Sequence, residues 1–273
     1  MRTKTLLIAA AALAVGVASS LAQTYSQNVV GYYNVTIAAG KYYILANQLI
    51  NGSDPAQTNN DINTVFNSGL ASDAAGPPNG NNAQLLVWNG VGYVTYYYLN
   101  AADAVTYNGA GSTAGWVDNQ GNPVTGVYMN QGLSAFVYNP SGSPMTATVV
   151  GTVLQGTNNV ISIAANNYGL YSIAQPVSTN ADASPIGIGG LSSDPAGPPN
   201  GNNDQLLVWN GVGYVTYYYL NGPDAISYNG AGSTAGFVDN QGNPVQVNLN
   251  VGQGFFLKHF GAALEYTNVF NVQ

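Results

Sequence analysis

The chain writes one stretch of 52 residues almost twice. Residues 73–124 (DAAGPPNGNNAQLLVWNGVGYVTYYYLNAADAVTYNGAGSTAGWVDNQGNPV) return as 194–245, shifted by 121 positions, with 45 of 52 identical. A period that long is a tandem pair of domains rather than a solenoid turn. Looser matches extend it: Asn34 to Leu49 corresponds to Asn159 to Val177, and Gly132 to Tyr138 to Gly252 to Lys258. Apolar alternation breaks between Gly151 and Gly156, which divides the chain into modules at 23–152 and 153–273. No Pro- or Ser-rich linker separates them, so they are expected to pack together. Any site in one module should recur in the other.

Nearly every segment reads as strand. Gln84 to Trp88 and Val91 to Leu99 flank Asn89-Gly90, a two-residue hairpin signal repeated around Asn210-Gly211. Trp116 to Val124 and Phe237 to Val245 surround an Asn-Gln-Gly turn. Each module should begin with two strands and end on a Gly-led aromatic strand. The one helical candidate, Asn60 to Leu70, has a poor counterpart near Pro185 and amounts to a single turn. Period-two alternation puts Val94, Tyr96 and Tyr98 on one face and Tyr93, Thr95, Tyr97 and Leu99 on the other. Both faces are apolar or aromatic, as in a strand central to a sandwich or small barrel, or in one that buries one face and offers tyrosines to a partner with the other. The expected fold class is all-β: two tandem β-sandwich or small-barrel modules behind a signal peptide.

The start of the chain reads as that signal. Arg2 and Lys4 precede an apolar run, Leu6 to Val17, and Ser20-Leu21-Ala22 offers small residues for cleavage after Ala22. The expected address is secreted, extracellular or cell-surface, with the periplasm as the other compartment and no membrane insertion after cleavage. Beyond the signal, Lys41 and Lys258 face 11 carboxylates, leaving 2 − 11 = −9. Such a chain cannot neutralise a row of phosphates, which argues against nucleic acid and against docking to an anionic membrane. Only 5% of residues are charged, against roughly 25% in an ordinary soluble domain. Zero cysteines and 46% hydrophobic content leave stability to the apolar cores.

Little in the chain suggests reaction chemistry. His259 is the single histidine and has no twin, since Asn139 stands at the matching place in module 1. A Ser-His-Asp triad would need it. Asp118 and Asp239 lie in identical VDNQGNP loops, which invites comparison with two-lobed aspartic proteases, but the Asp-Thr/Ser-Gly pattern is missing. Glycosidase chemistry needs two carboxyl groups about 5–9.5 Å apart, and the sequence places none so close. The same loops carry the weak metal reading, Ca2+ at Asp118 and Asp239 with help from Asp103. The spacing departs from a calcium loop, and an aspartate accepting backbone bonds in its own turn is the favoured account. No cofactor is expected.

What remains is surface chemistry. Tyr, Trp, Asn, Ser and Gly are the palette of antibody loops, and pyranose faces stack on aromatic rings while hydroxyls pair with amides. Trp88, Asn89, Tyr93, Tyr96 and Tyr97, with twins Trp209, Asn210, Tyr214, Tyr217 and Tyr218, are the candidate ligand-binding set; packing into a core is the competing role for each. Charges that normally blunt sheet edges are scarce. Edges are therefore covered from within the chain or pair with other copies.

The order AGKYYILANQL, LLVWNGVGY, GWVDNQGNP, then GLSAFVY or GQGFFLK resembles a tandem all-β module of exported Gram-negative bacterial proteins that are secreted or surface-attached (VWNGxGY … GxGFF), over residues 29–273. That resemblance implies export and a surface role and supplies no catalytic residues. Leu133-Ser134-Ala135 departs from its Gly-x-Gly-aromatic form. The leading expectation is a non-enzymatic surface or extracellular structural and adhesion protein that self-associates through sheet edges. The alternative is binding of neutral polysaccharide by exposed Trp, Tyr and Asn. A carboxylate-dependent hydrolase is a distant third.

Overall fold

A computed structural model describes residues 29–52, 57–154, 156–182 and 188–270; the expected signal segment lies outside them. Module 1 contains β1 (Val29–Ile37), β2 (Tyr42–Ala46), β3 (Gln84–Trp88), β4 (Tyr93–Leu99), β5 (Gly115–Val117), β6 (Ser134–Tyr138) and β7 (Met145–Val153). Five of these form one antiparallel sheet in the order β2-β6-β3-β4-β5, and β1 pairs with β7 in a separate ribbon. Module 2 contains β8 (Gly156–Ile163), β9 (Tyr168–Ser172), β10 (Thr179–Asn180), β11 (Gln205–Trp209), β12 (Tyr214–Leu220), β13 (Gly236–Val238), β14 (Asn248–Leu249), β15 (Gly254–Lys258) and β16 (Leu264–Phe270). Its sheet runs β9-β15-β11-β12-β13, the same order strand for strand, with β8 and β16 as the ribbon. The chain is all-β.

Alternation along the strands explains the layering. In module 1, Leu45, Leu85, Val137 and Trp116 point to the face where Tyr33, Val35, Met145 and Val149 of the ribbon close over them. In module 2, Leu206, Phe255 and Leu257 meet Ile161, Ile163 and Tyr266 in the same way. Each module is thus a sheet packed on a two-stranded ribbon. The neighbours in sequence, Ile44, Leu86, Trp88 and Phe136, point to the opposite face. There they meet Leu170, Trp209 and Phe256 of the other module. The apolarity of both faces, read from the alternation, has this cause.

Several local expectations are corrected. The β3–β4 connection is four residues long, Asn89 to Gly92, because the Asn89 side chain accepts from Val91 N and Gly92 N and holds a wider turn. Val91 and Val212 are therefore loop tips rather than strand starts. Each module closes with an additional strand, β7 or β16, after its aromatic strand. The turn at α1 (Ile62–Val65) forms, capped by Asp61. Two helices, α2 (Ala101–Asn108) and α3 (Gly222–Asn229), were not anticipated. Each opens on an asparagine, Asn100 or Asn221, whose side chain accepts the N–H of Asp103 or Asp224. Each stops at a glycine with φ near +95°, Gly109 (96°) and Gly230 (94°).

Those helices tie down the loops. The Tyr107 ring lies between Gly76 and Gly121, and its hydroxyl donates to the Pro77 carbonyl at 3.1 Å. Tyr228 repeats this with Gly197, Gly242 and Pro198. A Cβ at Gly121 would come within 2.3 Å of the ring at a φ of +85°. Gly121→Ala is therefore expected to lose about 2–3 kcal/mol in urea unfolding, from strain and clash together. Gly90→Ala, at φ +97° with nothing within 4 Å, should lose only about 1 kcal/mol. Equal losses would show that the ring contact contributes nothing.

Candidate functional site

The aromatic residues singled out by composition fall into three places. Trp88 and Tyr93, with Trp209 and Tyr214, converge on the seam between modules. The Trp88 ring stands edge-on to Tyr93 at 5.1 Å and to Phe256 at 5.6 Å; Trp209 stands edge-on to Tyr214 at 5.3 Å and to Phe136 at 5.4 Å. Tyr97 and Tyr218 share that sheet face but sit at its far end, beside the Leu99 and Leu220 clusters under the helices. Tyr96 and Tyr217 point the other way, onto the module cores. Asn89 and Asn210 hold their own hairpin tips. The ten residues do not form one surface.

Both seam indoles are donors with fixed acceptors. Trp88 Nε1 donates to the Tyr168 carbonyl at 2.8 Å, and Trp209 Nε1 donates to the Tyr42 carbonyl at 3.0 Å. Around them the backbones join in the same crossed fashion. Ala46 N donates to Gly252 O at 3.0 Å, and Ser172 N donates to Gly132 O at 2.7 Å. Leu45 bridges Gln253, and Leu133 bridges Tyr171. Buried glutamines complete the joint: Gln48 Nε2 donates to Ile173 O and its Oε1 accepts from Gly252 N, while Gln131 Nε2 donates to Gln48 O and Ala174 O. Beside this joint, Tyr33 donates to the Ala46 carbonyl, and burial raises its hydroxyl well above the usual tyrosine range. Burial likewise raises Tyr93 and Tyr214, which both pack on Phe136 at the seam.

Tyr42, Tyr168, Phe136, Phe256, Gln48 and Gln131 were not among the expected residues. For the four aromatics the signal was present in the repeat. Tyr42 and Phe136 have aromatic twins at Tyr168 and Phe256, although the flanks around them diverge. One divergence is compensated locally. Tyr138 stacks on Tyr42 at 4.5 Å, whereas its counterpart Lys258 places its ammonium 5.3 Å over the Tyr168 ring.

Grooves lie at two matching places along the seam. One, of about 240 Å3, is lined by Trp88, Gly90, Tyr128, Asn167 and Tyr168. The other, of about 430 Å3, is lined by Lys41, Tyr42, Trp209, Asn210 and Gly211.

The carboxylates are engaged by their own loops. Asp118 accepts from Gln120 N, Asn122 N and the Asn122 side chain, and Asp239 does the same with Gln241 and Asn243. These bonds, the asparagine side chain first, hold both below the usual carboxylate range. Asp103 accepts from Ser72 and Asn100 at the start of α2. Among the described residues no three His, Cys, Asp or Glu side chains gather as a metal-binding group.

His259 is buried and paired. Its Nδ1 lies 2.7 Å from Asp204 Oδ2, and its Nε2 lies 2.6 Å from the Ala262 carbonyl. Asp204 also accepts from Ser192 N and Phe260 N. With both ring nitrogens facing oxygen acceptors, neither is left to take a proton from a serine. Module 1 has Ala83 and Asn139 at these positions, and Asn139 donates to Ile37 O and Ser143 O instead. His259→Ala leaves the Asp204 carboxylate buried without its partner and should lose about 3–5 kcal/mol in urea unfolding. The double variant Asp204→Ala with His259→Asn, which installs module 1's neutral pair, should recover most of that loss. No recovery would mean the ion pair holds more than this corner of the module.

No family model, curated protein or solved structure matches the chain.

Proposed function

We propose that the protein is an exported, non-enzymatic structural and adhesion protein of the cell surface or extracellular space, and that it assembles through the outer edge of β1. That edge carries the proposal. Among the described residues the edges of the two five-stranded sheets have covers: β5 and β13 are closed by their own loops at Pro123 and Pro244, and β2 and β9 by the opposite module. In the ribbons β7 is covered in part by Ile50, while β1, like β8 and β16 in module 2, has no such bridge among those residues. β1 pairs with β7 over nine residues on one side. On its other side no backbone bond is made along the strand among the described residues.

The ribbon also lacks the devices that keep an edge single. Neither β1 nor β7 contains Lys, Arg, Asp, Glu or Pro. Its outward face shows Val30 and Tyr32, both 73% exposed, with Val150 opposite Tyr32. A long, neutral edge of this kind is a template for another strand. The acidic net charge opposes close approach, and salt screening weakens that opposition. The chemistry-bearing side chains support the absence of catalysis: the aspartates fold their own turns and the histidine is sealed in module 2.

A second reading is favoured by the two seam grooves, whose aromatic and amide linings suit neutral polysaccharide. One experiment separates them. Light scattering of the mature chain should rise with concentration and with salt, and Val30→Lys with Tyr32→Lys should abolish the salt-dependent part of the rise. The lysines also reduce net negative charge, which by itself would promote association, so a fall identifies the edge. A strict monomer at millimolar concentration in high salt contradicts edge assembly, and glycan-array binding by that monomer would favour the grooves.

A further inference from the structure

The seam joins two versions of one surface. Tyr42 and Tyr168, Trp88 and Trp209, Phe136 and Phe256, and Gly132 and Gly252 stand at matching places on sheets of identical strand order. The main contacts occur twice with the roles exchanged: indole to carbonyl in both directions, Trp on Phe in both directions, and one edge bridge in each direction. A patch that meets its own counterpart in this way is an isologous contact, the geometry of a twofold dimer. Here the twofold relation is contained within a single chain.

The surroundings of these residues have changed between the modules while the contacts persist. Leu45 faces Tyr171 as its twin, Tyr138 faces Lys258, and Asn139 faces His259, yet both indole bonds and both bridges are kept. The glycines are kept for a steric reason. A Cβ at Gly132 would meet Ile161 at 2.2 Å, and one at Gly252 would meet Val35 at 2.6 Å, so each glycine admits a ribbon side chain of the opposite module.

We infer that the seam is an exchangeable contact, in which module 1 of one chain docks on module 2 of a second copy. The partner is a second copy because the only surface shown to fit this face belongs to the same chain. Nothing new has to form: every hydrogen bond and ring contact across the seam is the same whether its two sides belong to one chain or two. Two residues separate the end of β7 at Val153 from the start of β8 at Gly156. What favours the closed single chain is therefore the effective concentration set by that tie, which a concentrated protein can match. Reciprocal exchange gives a closed two-chain particle, and non-reciprocal exchange gives an open string. The surface is distinct from the outer edge of β1, so substitutions at Val30 and Tyr32 leave it intact.

The test uses full-length mature chains carrying one cysteine each, Leu45→Cys or Gln253→Cys, in a sequence that has no other. These positions form an antiparallel bridge across the seam, within the Cα separation that a disulfide requires. The two chains, with tags of different mass, are unfolded together and refolded as an equimolar mixture under oxidising conditions. Exchange predicts a covalent heterodimer joining the two substituted positions, its fraction rising with protein concentration. A yield no higher than that of Leu45→Cys mixed with Val91→Cys, a cysteine at the exposed hairpin tip, overturns the inference. A chain carrying both substitutions should close the bridge internally and keep its β-sheet circular dichroism; if it does not, Leu133→Cys and Tyr171→Cys, the twin bridge, take their place.

Discussion

A sheet with two apolar faces cannot stand in water with only one of them covered. In this chain adjacent residues on the strands of the main sheet, Leu85 and Leu86, Val87 and Trp88, Ile44 and Leu45, Phe136 and Val137, point to opposite sides and are all apolar. The ribbons cover one side of each sheet. The other side of each is covered by the other sheet, where Ile44, Phe136 and Leu170 are buried. Burying one such side chain contributes about 1.5–3 kcal/mol, and no association entropy opposes it when both sheets belong to one chain. The seam is therefore a third core, and the rest of the architecture is arranged so that the two sheets can meet.

Scarcity of charge shapes everything around that core. Buried backbone groups still need partners, and neutral amides provide them. Gln48 and Gln131 bond to backbone across the seam, Asn139 fastens the β6–β7 turn, and Asn82 and Asn203 each donate to two carbonyls behind the Gly-Pro-Pro loop. Amides tolerate burial better than ions because a single missing bond leaves no net charge behind. The Asp204–His259 pair is the exception. Beyond the bond between its own members it has three hydrogen-bonded contacts, to Ala262 O, Phe260 N and Ser192 N, which is what a buried pair of this kind requires.

Much of this was legible in the residues. The 52-residue repeat at a spacing of 121 positions pointed to two like modules, and the absence of a Pro- or Ser-rich linker indicated that they touch. The alternation in YVTYYYL assigned Tyr96 and Tyr98 to one side and Tyr93 and Tyr97 to the other, as the sheet places them. Less legible was what lies against each side, because a tyrosine that would stack on a sugar and one that packs on a phenylalanine have the same spacing. The helices at Ala101 and Gly222 were hidden by their composition, since eight residues with one buried alanine give almost no periodic signal. The clue lay in the cap, an asparagine three residues before an aspartate. The partners of His259 could not be read at all, because Asp204 stands 55 positions earlier.

The central claim is that the two seam indoles are closed into the fold by the opposite module. The protein has three tryptophans, and Trp116, whose indole donates to the Phe66 carbonyl inside module 1, is an internal standard. Hydrogen exchange at the three indole N–H groups, followed by NMR, tests the claim most directly. If the seam is closed, Trp88 and Trp209 exchange at similar rates and well below that of a free indole, though faster than Trp116, because their bonded N–H groups lie nearer the surface. Rapid exchange at both while Trp116 stays protected would show two modules that fold without closing on each other.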